Sequence, residues 1–317
     1  MTDHGFDGWV PVRAWPEAGQ WRVRCMRVDK ITYAGGFFEQ IIAHARGELR
    51  EGAVWRDAPL DELSAAENTV SPSGFIFHMS RCGSTLLARL LAALTGATLI
   101  SEAPPIDAVL RAHLGDAAVS DAQRIRWLRA IVGAIATSSA GNGPLFIKFD
   151  AWSTLELPLI HRAFPQVPWV FLCREPLEVL RSHAAAPGSH MVPGVLGPLV
   201  FGWSAQTAPG SLDEYGAAVL TRICEAAADA RASCGRGCVI DYRELPDAAW
   251  NRLATFFGLH LSPDELGRMR EVSTRDAKNP AAAHDPKARP AATRPLQPLR
   301  DASANALRRS YERVLGH

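Results

Sequence analysis

The chain has 317 residues, enough for one large α/β domain with elaborations or for two domains. Apolar residues make up 47% of it, so a sizeable core can be buried, and 34 Lys+Arg against 33 Asp+Glu leave a formal charge of +1. That balance removes the strongest sequence argument for a nucleic-acid partner, which rests on a basic excess.

The N-terminal MTDHGFDGW lacks the basic-then-apolar layout of a signal peptide. Residues 1–70 read as an extension packed on the core. WVPVRAW and WRVRCMRV alternate like half-exposed strands, and FFEQIIAHA forms one amphipathic helix face. From residue 74 the pattern changes. The short apolar runs Phe75–His78, Thr98–Ile100, Leu145–Phe149, Trp169–Cys173 and Val239–Ile240 do not alternate, which suits parallel strands covered on both faces. Periodicity predicts helices over Ser84–Leu94, Ile106–Leu114, Ala122–Thr137, Leu155–Phe164, Pro176–His183, Leu212–Ser233 and Asp247–Phe257. The alternation argues for an α/β domain over 71–317, a parallel sheet of about five strands flanked by helices.

Other features bound the setting. The most apolar window, Leu86–Ile100, is interrupted by Arg89 and Gly96 and is too short to cross a bilayer, so no membrane partner is expected. Six cysteines are scattered along the chain. Cys234 and Cys238 have no second Cys/His pair nearby, which reads as reduced thiols and no zinc site. These features fit a soluble, cytoplasmic protein. Residues 184–211 are rich in Pro and Gly with apolar residues between, and suit a surface loop or a substrate lid. Residues 273–300 are an irregular C-terminal segment, rich in Ala, Pro, Arg and Lys from 277 on.

The stretch FIFHMSRCGSTLLARLL places a strand, a small-residue turn and a helix in succession. N–H groups at a helix start have no intrahelical partner, and the helix dipole makes that end positive. Cys82, Gly83, Ser84 and Thr85 let a backbone approach an oxyanion closely, and Arg81 adds a full charge. A nucleotide-triphosphate loop of G-x-x-x-x-G-K-[ST] form would need glycine where His78 stands and lysine where Ser84 stands. For magnesium only Asp150 and Asp241 offer acidic strand ends.

SRCGSTLL resembles the 5′-phosphosulfate loop of the sulfotransferases that use 3′-phosphoadenosine 5′-phosphosulfate (PAPS). Arg81, Cys82, Gly83, Ser84 and Thr85 match it position by position, and Leu86 stands where many members carry an aromatic residue. VFLCREPLEVLRSH resembles the family's 3′-phosphate segment, with Arg174, Glu175, Pro176 and Ser182 in its spacing. Pro176 can open a helix because its missing N–H would be unpaired anyway. VIDYRELPDAAWNRLATFFGL resembles a later segment, in which Tyr242 matches a tyrosine on the adenine side. The resemblance runs from residue 74 to about 260.

It implies a P-loop-like fold and transfer of a sulfuryl group from PAPS, leaving 3′-phosphoadenosine 5′-phosphate (PAP), to a hydroxyl or amine on a small-molecule or glycan-like acceptor. It also implies a lysine near the sulfuryl group, here Lys148, and a basic tail loop over the 3′-phosphate, here Arg275 and Lys278. No metal is needed. For the base, a carboxylate after the second strand gives Glu102, expected in an extended loop facing the cleft. Asp150 holds the position of a histidine in one branch of the family. His183 and His190 flank the long loop and read more readily as surface histidines. The alternatives are a P-loop kinase using ATP and a non-catalytic nucleotide-binding protein of the same fold.

Overall fold

The structure is a computed structural model that describes residues 5–49, 52–65, 70–204, 210–275 and 294–316. Its centre is a five-stranded, wholly parallel sheet. An antiparallel sheet of β1 (Trp9–Glu17), β2 (Gln20–Arg27) and β3 (Trp55–Pro59) precedes it, with α1 (Phe38–Glu48) and α2 (Leu60–Ser64). The parallel strands are β4 (Gly74–His78), β5 (Thr98–Ser101), β6 (Leu145–Lys148), β7 (Trp169–Cys173) and β8 (Gly237–Asp241), in the spatial order β5-β6-β4-β7-β8. From β4 the chain crosses to the edge strand β5, comes back to β6 beside β4, and then builds to the other side through β7 and β8. A crevice opens beyond the strand ends where such a reversal occurs.

Every residue of β4, β5, β6 and β7 is buried, which explains why these runs do not alternate. Aromatic rings tie the layers together. Phe77 stacks on Phe149 at 4.8 Å, and Phe75 meets Phe149 edge-on at 5.3 Å. The connecting helices are α3 (Ser84–Ala92), α4 (Pro104–Leu110), α5 (Ala112–Gly115), α6 (Asp121–Thr137), α7 (Leu157–Ala163), α8 (Pro176–Ala185) and α9 (Leu212–Ser233). After β8 come α10 (Asp247–Trp250), α11 (Arg252–Phe256), α12 (Pro263–Ser273) and α13 (Asp301–Leu315).

Several expectations need correction. The helix expected over Ile106–Leu114 starts earlier, because Pro104 and Pro105 fit its first turn, and it breaks at Arg111 into α4 and α5. Ala151–Glu156 forms a 3-10 turn before α7, and the helix expected over Asp247–Phe257 splits at Asn251. The irregular C-terminal segment is followed by α13, which lies along α9, and α12 was also not foreseen. Residues 276–293, which include Lys278, lie outside the described residues.

The N-terminal elements pack on the parallel domain. β1 contacts α4 and α6, Leu99 N–H donates to the Tyr33 carbonyl, and Trp127 Nε1 donates to Asp61 at 2.7 Å. Among the described residues no helix is long and apolar enough to cross a membrane.

Candidate active site

Most of the sequence-predicted residues lie at the C-terminal ends of the five parallel strands, on the connections that leave those ends. β4 leads through Met79–Gly83 into α3. Gly83 caps α3 in the left-handed conformation at φ 84°, and no side chain caps that end. The first N–H groups of α3, at Ser84 and Thr85, are thus the kind that attract an anion. Gly83 is required twice over. Its φ disfavours other residues, and a Cβ there would stand 2.8 Å from the Tyr242 ring. Ser80 and Arg81 also have positive φ, at 79° and 50°, so the loop bends away from the sheet through consecutive unfavourable conformations. Cys82 faces the core and donates to the Leu172 carbonyl, so only its backbone is available to a ligand.

His78, the last residue of β4, was read from the sequence only as a missing glycine. It is buried, and it holds the loop. Nδ1 accepts from Ser80 N–H at 3.1 Å, so Nε2 carries the proton and donates to the Phe149 carbonyl at 3.1 Å. Burial, with Lys148 nearby, pushes its pKa down. A histidine closing an otherwise apolar strand just before a small-residue turn was the available signal.

β5 ends beside β6, with Ser101 opposite Lys148. Glu102 follows with φ 53°, left-handed where an extended loop was expected, and its N–H donates to the Lys148 carbonyl at 2.8 Å. That turn aims the carboxylate at the Lys148 ammonium, which it bonds, with His78 Nε2 3.7 Å away. Burial alone would raise the Glu102 pKa, but Lys148 and His78 outweigh it and hold it at about 2. Lys148 is 2% exposed, and its ammonium lies 5.4 Å from the Phe37 ring of the N-terminal extension. Asp150 makes no side-chain hydrogen bond or ion pair among the described residues. Burial, reinforced by the charges of Glu102 and Asp107, raises its pKa well above the carboxylate range.

β7 delivers Arg174. Its guanidinium lies 4.4 Å from the Tyr242 ring, is held by Glu178 at 2.8 Å and reaches the Arg81 carbonyl at 3.4 Å. Pro176 opens α8, and Glu175 accepts from the Leu177 and Glu178 N–H groups. Ser182 lies one turn beyond Glu178 on the same face of α8. β8 delivers Tyr242 at the start of a 3-10 turn. Asp241, weighed above for magnesium, is engaged instead by Arg243 at 2.7 Å and Tyr311 at 2.6 Å.

His183, in α8, and His190 are both 5% exposed, not on the surface. His183 Nδ1 accepts from Gly188 N–H at 3.2 Å, so its Nε2 donates to Ser80 Oγ at 3.1 Å. His190 packs between His183, at 5.3 Å, and Trp152, at 5.6 Å. Burial pushes its pKa down to about 4. Arg81 donates to the Ala186 carbonyl at 2.6 Å, which ties the turn before α3 to the start of this loop. Arg275, just after α12, pairs with Glu271 at 2.5 Å.

A cleft of about 400 Å³ adjoins Glu102 and Asp150, with Phe37 and Trp152 on its walls. Sequence reasoning missed Phe37 and Trp152 because nothing local marks a residue that meets the site only through the fold. Among the described residues, no group of three or more His, Cys, Asp or Glu is arranged to hold a metal ion.

No family model matches the chain, and no curated protein sequence matches it. Among solved structures it is similar to a sulfotransferase domain from the curacin biosynthetic pathway, at 15% identity, 76% of this chain, 97% of that chain and a TM-score of 0.44. It is also similar to a sulfotransferase from Mycobacterium avium, at 12% identity, 67% and 69% coverage and a TM-score of 0.46. A third is a sulfotransferase from Alicyclobacillus acidocaldarius, at 13% identity, 66% and 98% coverage and a TM-score of 0.39.

Proposed function

We propose that this chain transfers a sulfuryl group from PAPS to a hydroxyl or amine acceptor. One observation carries the reading: the two segments that resemble phosphate-binding motifs meet in space. The Arg174 guanidinium reaches the carbonyl of Arg81 and lies on Tyr242, whose ring covers Gly83 at the start of α3. A ligand with phosphate groups at both ends of one nucleoside fits such a junction. In this reading Arg81 and the Ser84 and Thr85 N–H groups take the 5′-phosphosulfate. Arg174 and Ser182 take the 3′-phosphate, sharing or displacing Glu178, and Tyr242 flanks the adenine side.

In the transfer step the acceptor oxygen attacks sulfur in line. The bond from sulfur to the 5′-phosphate oxygen breaks, and its electron pair stays on the phosphate as PAP leaves. The acceptor proton passes to Glu102. With Lys148 bonded to it, Glu102 is too weak a base for this. When Lys148 turns to the oxygens of the transferring group, burial raises Glu102 and makes it a better acceptor of the proton. Lys148 thus serves both partners in turn. A positioned base contributes about 10²–10⁴-fold, and fixed positive charge on the leaving group often more. Lys148, Arg81 and backbone N–H groups supply the positive charge this step requires.

The test is nucleotide choice. A charge-assisted hydrogen bond contributes roughly 1.5–3 kcal/mol. PAP should therefore bind at least about tenfold tighter than ADP by calorimetry. Arg174→Ala should erase most of that preference. Equal affinities in the wild type would overturn the reading.

A further inference from the structure

The walls of the cleft beside Glu102 carry the carboxylates of Glu39, Glu102, Asp107 and Asp150, and no lysine or arginine lines it. Two of these charges are already answered. Glu102 bonds Lys148, and Asp107 bonds Arg111 and accepts from Trp152 Nε1 at 2.7 Å. Asp150, a partly buried residue of the lining, has no side-chain partner among the described residues, and neither does Glu39 in the exposed first turn of α1. The cleft therefore presents two unanswered carboxyl groups, with the rings of Phe37 and Trp152 also in its lining.

We infer that the acceptor carries a positively charged amino group beside the hydroxyl that is sulfated, with Asp150 and Glu39 as its counter-charges and Trp152 and Phe37 as the faces it lies against. The inference rests on the reading above for the identity of the reaction. Its physics is local. Leaving a partly buried carboxylate unpaired is costly, and an ammonium answers that charge with a charge-assisted hydrogen bond. An aromatic face adds attraction for a cation. The charged groups facing Asp150 are Glu102 and Asp107, which favour its protonated form, and Lys148 and Arg111, which oppose it. An ammonium takes the place of that proton, whereas an anionic acceptor would add like charge to the cleft. The ammonium stays unreacted. The hydroxyl is the nucleophile, and its proton goes to Glu102.

Binding of matched trios tests this without any transfer. On an aromatic scaffold these are tyramine, 4-ethylphenol and 4-hydroxyphenylacetate. On an aliphatic one they are 4-aminobutan-1-ol, butan-1-ol and 4-hydroxybutyrate. Each is titrated by calorimetry with and without PAP. The ammonium member of at least one trio should bind about tenfold or more tighter than both its relatives. Asp150→Asn should remove most of that preference. Glu39→Gln, on an exposed turn where folding is not at stake, should lower it a few-fold. Absence of an ammonium preference in both trios overturns the inference. So does a preference that survives Asp150→Asn in a protein shown to be folded by circular dichroism. If Asp150→Asn does not fold, an unchanged preference in Glu39→Gln overturns it. The PAP-over-ADP comparison is separate, so either reading can fall while the other stands.

Discussion

Glu102 sits in a backbone conformation that a glutamate rarely adopts, at φ 53°. Such conformations cost about 1–3 kcal/mol and persist where the surroundings over-determine them. Here the bond to Lys148 and the strand pairing of β5 with β6 do so. Glu102→Gln preserves the shape and an acceptor oxygen but cannot take a proton. Turnover should fall by about 10²-fold or more with PAP affinity nearly unchanged. Steady-state rates set beside calorimetry check this, and unchanged turnover would remove Glu102 as the base. Asp150 makes the opposite demand. Its folded-state pKa is raised, so between the unfolded value and the raised one the native state holds more protons than the unfolded state. Stability then declines as pH rises through that window. Asp150→Asn should abolish this decline, and its melting temperature should gain on the wild type as pH increases from about 4 towards neutrality. Parallel melting curves for the two proteins across pH would count against an unpartnered, partly buried carboxyl.

Among the elements, α13 has the least obvious role and a clear means of attachment. Asp213 at the start of α9 is buried and bonded by Arg294 through two contacts of 2.6 Å, while Tyr311 of α13 reaches Asp241 at the end of β8. Arg294→Ala would leave a buried carboxylate with only the Gln297 N–H. Breaking a buried pair costs about 3–5 kcal/mol. Arg294 is about a third exposed, so a loss nearer 1–3 kcal/mol is expected. Urea unfolding measures it, and a loss below about 0.5 kcal/mol would mean that the Arg294–Asp213 pair adds little to the attachment. This helix was not legible in the sequence. ASANALRRSYERVL buries only Leu307, Ser310 and Val314, too few apolar positions to stand out beside the Pro/Ala-rich run before it. α12 was missed likewise, since Met269 alone is buried. Trp169–Cys173 and Leu212–Ser233 were readable to the residue because strong apolar patterns end at clear boundaries. Local signals also marked the Gly83 turn and Arg174. Nothing in the sequence signalled that Glu102 would bond Lys148 while Asp150 went without a partner, because that choice depends on φ at one residue.

Across the whole molecule, the N-terminal extension and the parallel domain share one working surface. Phe37 closes over Lys148 from the extension, and Glu39 stands on the same rim. Phe37→Ala should raise the acceptor KM by about tenfold while leaving PAP affinity unchanged, since it removes one aromatic wall of the cleft and none of the nucleotide contacts. An equal loss of PAP affinity would mean that the extension acts on the nucleotide site instead. The strand order has a further consequence, for the life of the folded chain. β4 lies between β6 and β7, both of which come later in the sequence, so its neighbours are supplied only after long intervening segments. Pairings of this kind form slowly, because loop closure precedes the contacts that reward it. Gly83, Arg174 and Tyr242 follow β4, β7 and β8, so they come together only once those three strands have paired. A nucleotide that bridges Gly83, Arg174 and Tyr242 therefore binds the chain only after that pairing. At a hundredfold excess over Kd such a ligand adds about 2.7 kcal/mol against unfolding. The supply of nucleotide would then govern how long each copy of the protein resists proteolysis, independently of how often it turns over.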